Sequence, residues 1–260
     1  MTGELGSRYL TLERRGPIAW VTMDRPEARN ALTSSMYFGI RRAVELVEAD
    51  DDLAALVLTG TGDVFAPGGD LGHRDEAPLP AGVSIDAAMP FTTLRSTRVP
   101  VVAAVNGICQ AGGLLIALLC DVAVASDRAT FRSPELLRGF AEMWYAAVLP
   151  AHVGLARARD FCLTGRKLDA RQAEGWGMVA RVVPHEELEF EAERIAYQLL
   201  EAAPFARALW KSAANARYGV VDETTFTLQR DSGEWLEGSQ AFMERRPPLW
   251  SRGGPARHGR

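Results

Sequence analysis

At 260 residues and 47% hydrophobic content, the chain is long enough to bury one sizeable core, with room for a helical appendage. A net charge of −4 and an isoelectric point near 5.7 argue against a nucleic-acid binder that works by neutralising phosphates. Three cysteines, Cys109, Cys120 and Cys162, form no disulfide framework, and residues 1–8 carry no apolar signal stretch, so the expectation is a soluble, cytoplasmic protein without a membrane span.

In chain order, Tyr9 to Glu13 and Ile18 to Met23 flank Arg14-Arg-Gly-Pro17 and predict a β-hairpin. A loop over Asp24 to Asn30 follows, and Thr33 caps a helix with Met36, Ile40, Val44 and Val47 on one face. Strand and helix then alternate: Leu53 to Thr59, a helix over Asp86 to Ser96, Val101 to Val105, a helix after Gly112, and Val122 to Ala125. That alternation predicts a mainly parallel α/β sheet with helices on its faces. Between Pro67 and Pro90 the pattern breaks down around His73-Arg-Asp-Glu76, which predicts a mobile loop able to close over a ligand. Beyond Pro150 helical periodicity dominates, with one strand at Met178 to Val183, which divides the chain into a core (1–190), a helical region (191–250) and a basic, disordered tail (251–260).

Two loops concentrate the chemistry. Val105-Asn-Gly-Ile-Cys-Gln-Ala-Gly-Gly113 joins a buried strand to an apolar helix, and Gly60 to Leu71 ends another buried strand with Gly68, Gly69 and Asp70. A helix start offers unpaired N–H groups and a positive dipole end, so two such loops are able to hold an oxygen on which negative charge develops. The histidines show no metal spacing and no GxSxG or phosphate-binding GxxxxGK[ST] occurs, so neither a metal centre nor a serine hydrolase is supported. Cys109, among apolar neighbours and with no histidine beside it in sequence, is expected to be a buried structural thiol.

Arg25-Pro-Glu-Ala-Arg-Asn-Ala-Leu32, Phe65-Ala-Pro-Gly-Gly-Asp-Leu71, Ala104-Val-Asn-Gly107 through Cys120-Asp121, Phe131-Arg-Ser-Pro-Glu-Leu-Leu-Arg-Gly139 and Glu237 to Pro247 together resemble the crotonase (enoyl-CoA hydratase/isomerase) superfamily. The resemblance implies a spiral of ββα turns with a helical C-terminal trimerisation region, assembly as a homotrimer or a dimer of trimers, and a coenzyme A thioester as substrate with no cofactor. It implies oxyanion donors at the amides of Gly69 and Ala111, the latter where relatives carry glycine, a departure tolerable if Ala111 keeps ordinary helical dihedrals. Gly68, Asp70, Leu71 and Gly112 then flank the thioester, with Asp70 and Asp121 anchoring loop backbone. Arg25 and Arg29 lie near the nucleotide, and Phe242 and Arg245 near adenine and phosphate. Glu27 and Gly72 stand where relatives often have lysine.

Carboxylate number separates the reactions that the resemblance allows. Water addition to a 2,3-double bond calls for two acid–base groups, whereas shifting a double bond from position 3 to position 2 needs one. The helix glutamate of the hydratases falls on Leu115 and is missing; the second falls on Glu135, and the glutamate of some isomerases falls on Glu142. Met143, Trp144 and Tyr145 are candidates to line the acyl pocket. The expectation is an enolate-stabilising acyl-CoA enzyme, with the double-bond shift ahead of hydration by a Glu135/Glu142 pair. A catalytically silent acyl-CoA-binding protein is the alternative from another class.

Overall fold

The structure is a computed structural model that describes residues 5–72, 78–221, 228–229 and 231–251. Strands β1 (Leu10–Arg15) and β2 (Ile18–Met23) form the expected antiparallel hairpin, with Gly16 at φ +57° in its turn. Helix α1 (Ser34–Ala49) begins at Thr33, whose hydroxyl accepts the Met36 N–H at 3.1 Å, and it buries Met36, Ile40, Val44 and Val47 together with Tyr37.

From there the chain winds as a spiral. Strands β3 (Ala55–Gly60), β5 (Val101–Val105) and β7 (Val122–Ser126) lie side by side and parallel, each followed by a short strand, β4 (Val64–Ala66), β6 (Ile108–Gln110) and β8 (Thr130–Arg132). The short strands pair with one another in a second sheet, closed by β9 (Lys167–Asp169), while β10 (Arg181–Val183) ends the first. The six-stranded order is β1-β2-β3-β5-β7-β10 and the four-stranded order β4-β6-β8-β9, so every turn contributes one strand to each sheet before a helix closes it. All five residues of β5 are buried, as expected of a parallel strand covered on both faces.

The helix expected over 86–96 is two, α2 (Ile85–Ala88) and α3 (Phe91–Ser96), because Pro90 between them lacks the N–H that would continue the ladder. Helix α4 (Gly112–Leu119) follows β6 as predicted, whereas α5 (Met143–Val153), which contains Pro150, has no counterpart in the sequence pattern. After it come α6 (Leu155–Thr164), α7 (Ala170–Trp176), α8 (Leu188–Glu201), α9 (Pro204–Asn215) and α10 (Glu234–Met243). The boundary expected at 190/191 falls inside α8, and α8 packs Leu188, Ala192, Ile195 and Ala196 on Ile18, Trp20, Val57 and Val102 of the large sheet. The change of packing partner comes after Glu201.

Helix α9 is clasped to the spiral by Lys211, which is 4% exposed and donates to Asp121 Oδ2 at 2.7 Å and to the Val99 carbonyl at 2.6 Å. Asp121 also accepts the Val101 N–H at 2.7 Å, so it anchors backbone as expected. Of the loop expected between Pro67 and Pro90, residues 73–77, which include His73 to Glu76, lie outside the described residues, as do residues 252–260 of the expected tail. Among the described residues no helix is long and apolar enough to cross a membrane.

Candidate active site

Glu135 follows β8 at the start of a 3-10 turn over Leu136–Arg138, and Glu142 caps the N-terminus of α5. Glu135 is 8% exposed and accepts the Ser133 hydroxyl at 2.8 Å. Glu142 accepts the Trp144 N–H at 3.0 Å, so its capping role is real, yet its carboxyl also faces the same cavity as Glu135. That cavity holds about 330 Å³ and is otherwise mainly apolar, with Leu136, Met143, Tyr145 and Cys162 on its walls. Burial pushes both carboxyls up to about 7, and the charge of Glu135 pushes Glu142 further in that direction. With both carboxyls near 7, protonated and ionised forms are both populated around neutral pH, which makes an acid and a base available in one cavity.

The loop expected to hold an oxyanion adjoins this cavity through Tyr145, whose hydroxyl donates to the Ala111 carbonyl at 2.8 Å. On one side the Gly69 backbone is exposed, and its N–H has no acceptor among the described residues. Leu32 brackets it, donating to the Gly68 carbonyl at 2.9 Å and accepting the Asp70 N–H at 2.9 Å, so the amide between faces outward. On the other side the expectation for Ala111 is corrected. Its backbone lies at φ +51°, ψ −133°, not in helical space, and its N–H donates to the Arg132 carbonyl at 3.2 Å. The bond continues the β6–β8 ladder one residue past Gln110, and that pull turns the Ala111 amide away from Gly69. The Ala111 methyl points at Gly68, where an added Cβ would come within 2.5 Å of it.

Other site residues sort by what they touch. Asp70 is the expected backbone anchor, accepting the Gly72 N–H at 2.8 Å. Arg25, expected beside the nucleotide, is instead 3% exposed and internal: it pairs with Asp70 at 2.8 Å and donates to the Ala31 carbonyl at 2.8 Å, because a buried loop needs a cation for its carboxylate. Arg29 stays at the surface in a left-handed conformation, 3.3 Å from Asp63. Leu71 is half-buried, and Leu115 is fully buried in the core, so Leu115 fills space under the site and does not line the cavity. Trp144 is also corrected. Its ring packs on Phe91 at 5.6 Å and faces a groove between α3 and α9, while its neighbours Met143 and Tyr145 line the acid–base cavity.

Helix α10 reaches back to the turn that carries Glu135. The Arg138 guanidinium stacks over the Phe242 ring at 4.1 Å, and Gly238 lies against the Arg138 carbonyl so closely that a Cβ there would collide with it. Arg245 is exposed, while Arg246 is held by Glu237 at 2.7 Å and Glu244 at 2.6 Å. Cys109 is fully buried and burial pushes its thiol well up, in line with a structural role.

Two supporting residues, Asn30 and Ser133, escaped the sequence reading, and Tyr145, read as pocket lining, supports the site as well. Asn30 accepts the Arg25 N–H at 2.9 Å and donates to the carbonyls of Thr61 at 3.1 Å and Val64 at 2.7 Å, tying the first loop to the Gly60–Leu71 loop. Ser133 and Tyr145 hold Glu135 and Ala111. The partners of Asn30 and Tyr145 lie on other turns of the spiral, where no spacing marks them, whereas Ser133 holds Glu135 two residues along.

The sequence profile of a family described as enoyl-CoA hydratase/isomerase matches residues 13–253. A probable mitochondrial enoyl-CoA hydratase of Dictyostelium discoideum is 32% identical over 248 residues, covering 92% of this chain and 90% of that protein. A carnitinyl-CoA dehydratase of Salmonella enteritidis is 34% identical over 260 residues, covering 94% and 98%. The crystal structure of an enoyl-CoA hydratase from Mycobacterium avium subsp. paratuberculosis is similar with a TM-score of 0.81 at 28% identity, covering 94% of this chain and 98% of that one. With the spiral, the paired loops and the match in hand, the chain belongs to the enoyl-CoA hydratase/isomerase family of the crotonase superfamily.

Proposed function

We propose that the protein adds water reversibly across the 2,3-double bond of an enoyl-CoA thioester, with Glu135 and Glu142 as its acid–base pair. The observation that carries this reading is that both carboxyls line one mainly apolar cavity and titrate near 7. The ionised carboxylate takes a proton from water as the oxygen bonds to C3. The π electrons move to the thioester oxygen, and the protonated partner returns a proton to C2. Atoms balance, because water supplies one oxygen and two hydrogens and each carboxyl ends in the state in which the other began. The exposed cations Arg29 and Arg245 are suited to phosphates of the coenzyme.

A double-bond shift from position 3 to position 2 is the second reading, favoured by Leu115, since a single base serves it. Purified protein given 2-enoyl-CoA and 3-enoyl-CoA esters, beside Glu135→Gln and Glu142→Gln, separates the two. Hydration predicts that either variant lowers kcat by about 100-fold or more; the shift predicts that only one does. Full turnover in both variants means the base lies elsewhere, and tight acyl-CoA binding without turnover in the parent makes the chain a binding protein.

A homotrimer or a dimer of trimers is part of the same proposal. Phe190, Phe205, Leu209, Trp210 and Met243 stand exposed on α8, α9 and α10, a concentration of large apolar groups suited to burial against further copies.

A further inference from the structure

Helix α6 turns one face to the acid–base cavity, and that face carries Leu155, Ala158, Arg159, Cys162 and Leu163. Their spacing of three and four residues is that of a helix stripe, and every member but one is apolar. Arg159 is the exception. Within the stripe Cys162 is half-buried and lies beside Ser133, in the field of Glu135. Arg159 stands one turn away along the helix, about 4.5 Å by its rise, and is exposed where the cavity meets solvent.

A charge set in an apolar stripe is normally placed there by a partner. The chain supplies none. Asp160, the carboxylate next to Arg159, is taken by Arg166 at 2.9 Å. Arg157, on the same helix, donates to the Gly175 carbonyl at 3.4 Å and stacks over the Trp176 ring at 5.5 Å. Arg159 makes no hydrogen bond, ion pair or ring contact among the described residues. One turn to either side of it stand Leu155 and Leu163, 54% and 66% exposed, so the cation sits between two apolar side chains on the rim of the cavity.

We propose that Arg159 binds a carboxylate at the far end of the acyl chain, so that the substrate is the coenzyme A thioester of a dicarboxylic acid. This rests on the acyl-CoA reading of the cavity. With C2 and C3 held between Glu135 and Glu142, the remaining carbons cross the apolar walls and the terminal carboxylate meets the guanidinium in a two-point contact. A cation is needed for this, since a chain of net charge −4 with two carboxyls already in the cavity disfavours a further anion there. Arg159 touches no reacting atom. It selects which thioester is held.

The test uses the full chain with hexanoyl-CoA and adipoyl-CoA, saturated esters of equal length that differ in the terminal carboxylate and bind without turnover. Calorimetry on the parent is expected to show adipoyl-CoA bound about tenfold more tightly, the lower end for a charge-assisted contact because Arg159 is partly solvated. Arg159→Ala is expected to abolish that ratio, Arg159→Lys to keep part of it, and Arg159→Glu to invert it. The ratio of kcat/KM for the corresponding 2-enoyl esters follows the same order. A parent that binds hexanoyl-CoA as tightly as adipoyl-CoA, or a ratio within about twofold of the parent in Arg159→Ala, overturns the proposal and leaves the acyl-CoA reading standing. Arg159→Ala that weakens both esters and free coenzyme A alike assigns the cation to the coenzyme phosphates and overturns it too. A parent that binds neither ester overturns the acyl-CoA reading and this proposal with it.

Discussion

Glu135 and Glu142 show how far burial moves ordinary side chains, and the sign of the effect is testable. Each titrates near 4.5 when exposed and near 7 in the fold, so folding favours the protonated form. Their contribution to stability is complete below about pH 4.5 and is lost as pH rises through 7. Replacing Glu135 by Gln therefore raises the melting temperature at pH 8 more than at pH 5, by the equivalent of roughly 3 kcal/mol at most. Ala111 makes a second case. At φ +51° and ψ −133° its Cβ is strained by roughly 1–3 kcal/mol, so Ala111→Gly is expected to raise stability by about 1 kcal/mol in denaturant titrations after glycine's added unfolded entropy is subtracted. Sequence marked both glutamates by their motifs. It did not mark Ala111's dihedrals, because these follow from a ladder bond to Arg132, which lies 21 positions along and on another strand.

Among elements, α10 has the least expected reach. It braces the turn that carries Glu135, with Gly238 against the Arg138 carbonyl and Phe242 beneath the Arg138 guanidinium. Gly238→Ala must push the helix away from that turn. The expected result is a fall of about tenfold or more in kcat with little change in the melting of the sheet, since a shift of about 1 Å in a catalytic group is costly to rate. Full activity in that variant would show the brace to be idle. The hairpin, α1 and the three parallel strands were legible because each carries its own period or cap, as Thr33 does for α1. The small sheet was not. Its strands are three residues long, too short for a period, and they exist only because successive turns of the spiral stack Val64, Ile108 and Thr130 in register. The acid–base cavity was hidden for a related reason, since α5 and α6 form its walls and the α5 pattern contains Pro150.

For the whole molecule, the exposed apolar groups gather on the last third of the chain. Phe205 is 77% and Trp210 75% exposed, each on α9, which the Lys211 clasp holds rigidly against the spiral. A rigid apolar face of this kind suits closed assembly. Light scattering on the purified chain is expected to give a mass three or six times 28.3 kDa, and Trp210→Asp to reduce it while leaving the circular dichroism of the sheet intact. A single-chain mass for the parent would show that these side chains meet only solvent.

Gly112 opens α4, where alanine would be the better helix former by about 1 kcal/mol. The phenol of Tyr37 occupies the room its methyl would need. The two positions therefore trade volume: a lineage that gives up the phenol releases position 112 to drift, and one that first acquires a methyl there closes the door on tyrosine. Tyr37→Phe combined with Gly112→Ala should accordingly melt closer to the parent than Gly112→Ala alone, an interdependence between residues 75 positions apart that began as a contest for the space of one oxygen atom.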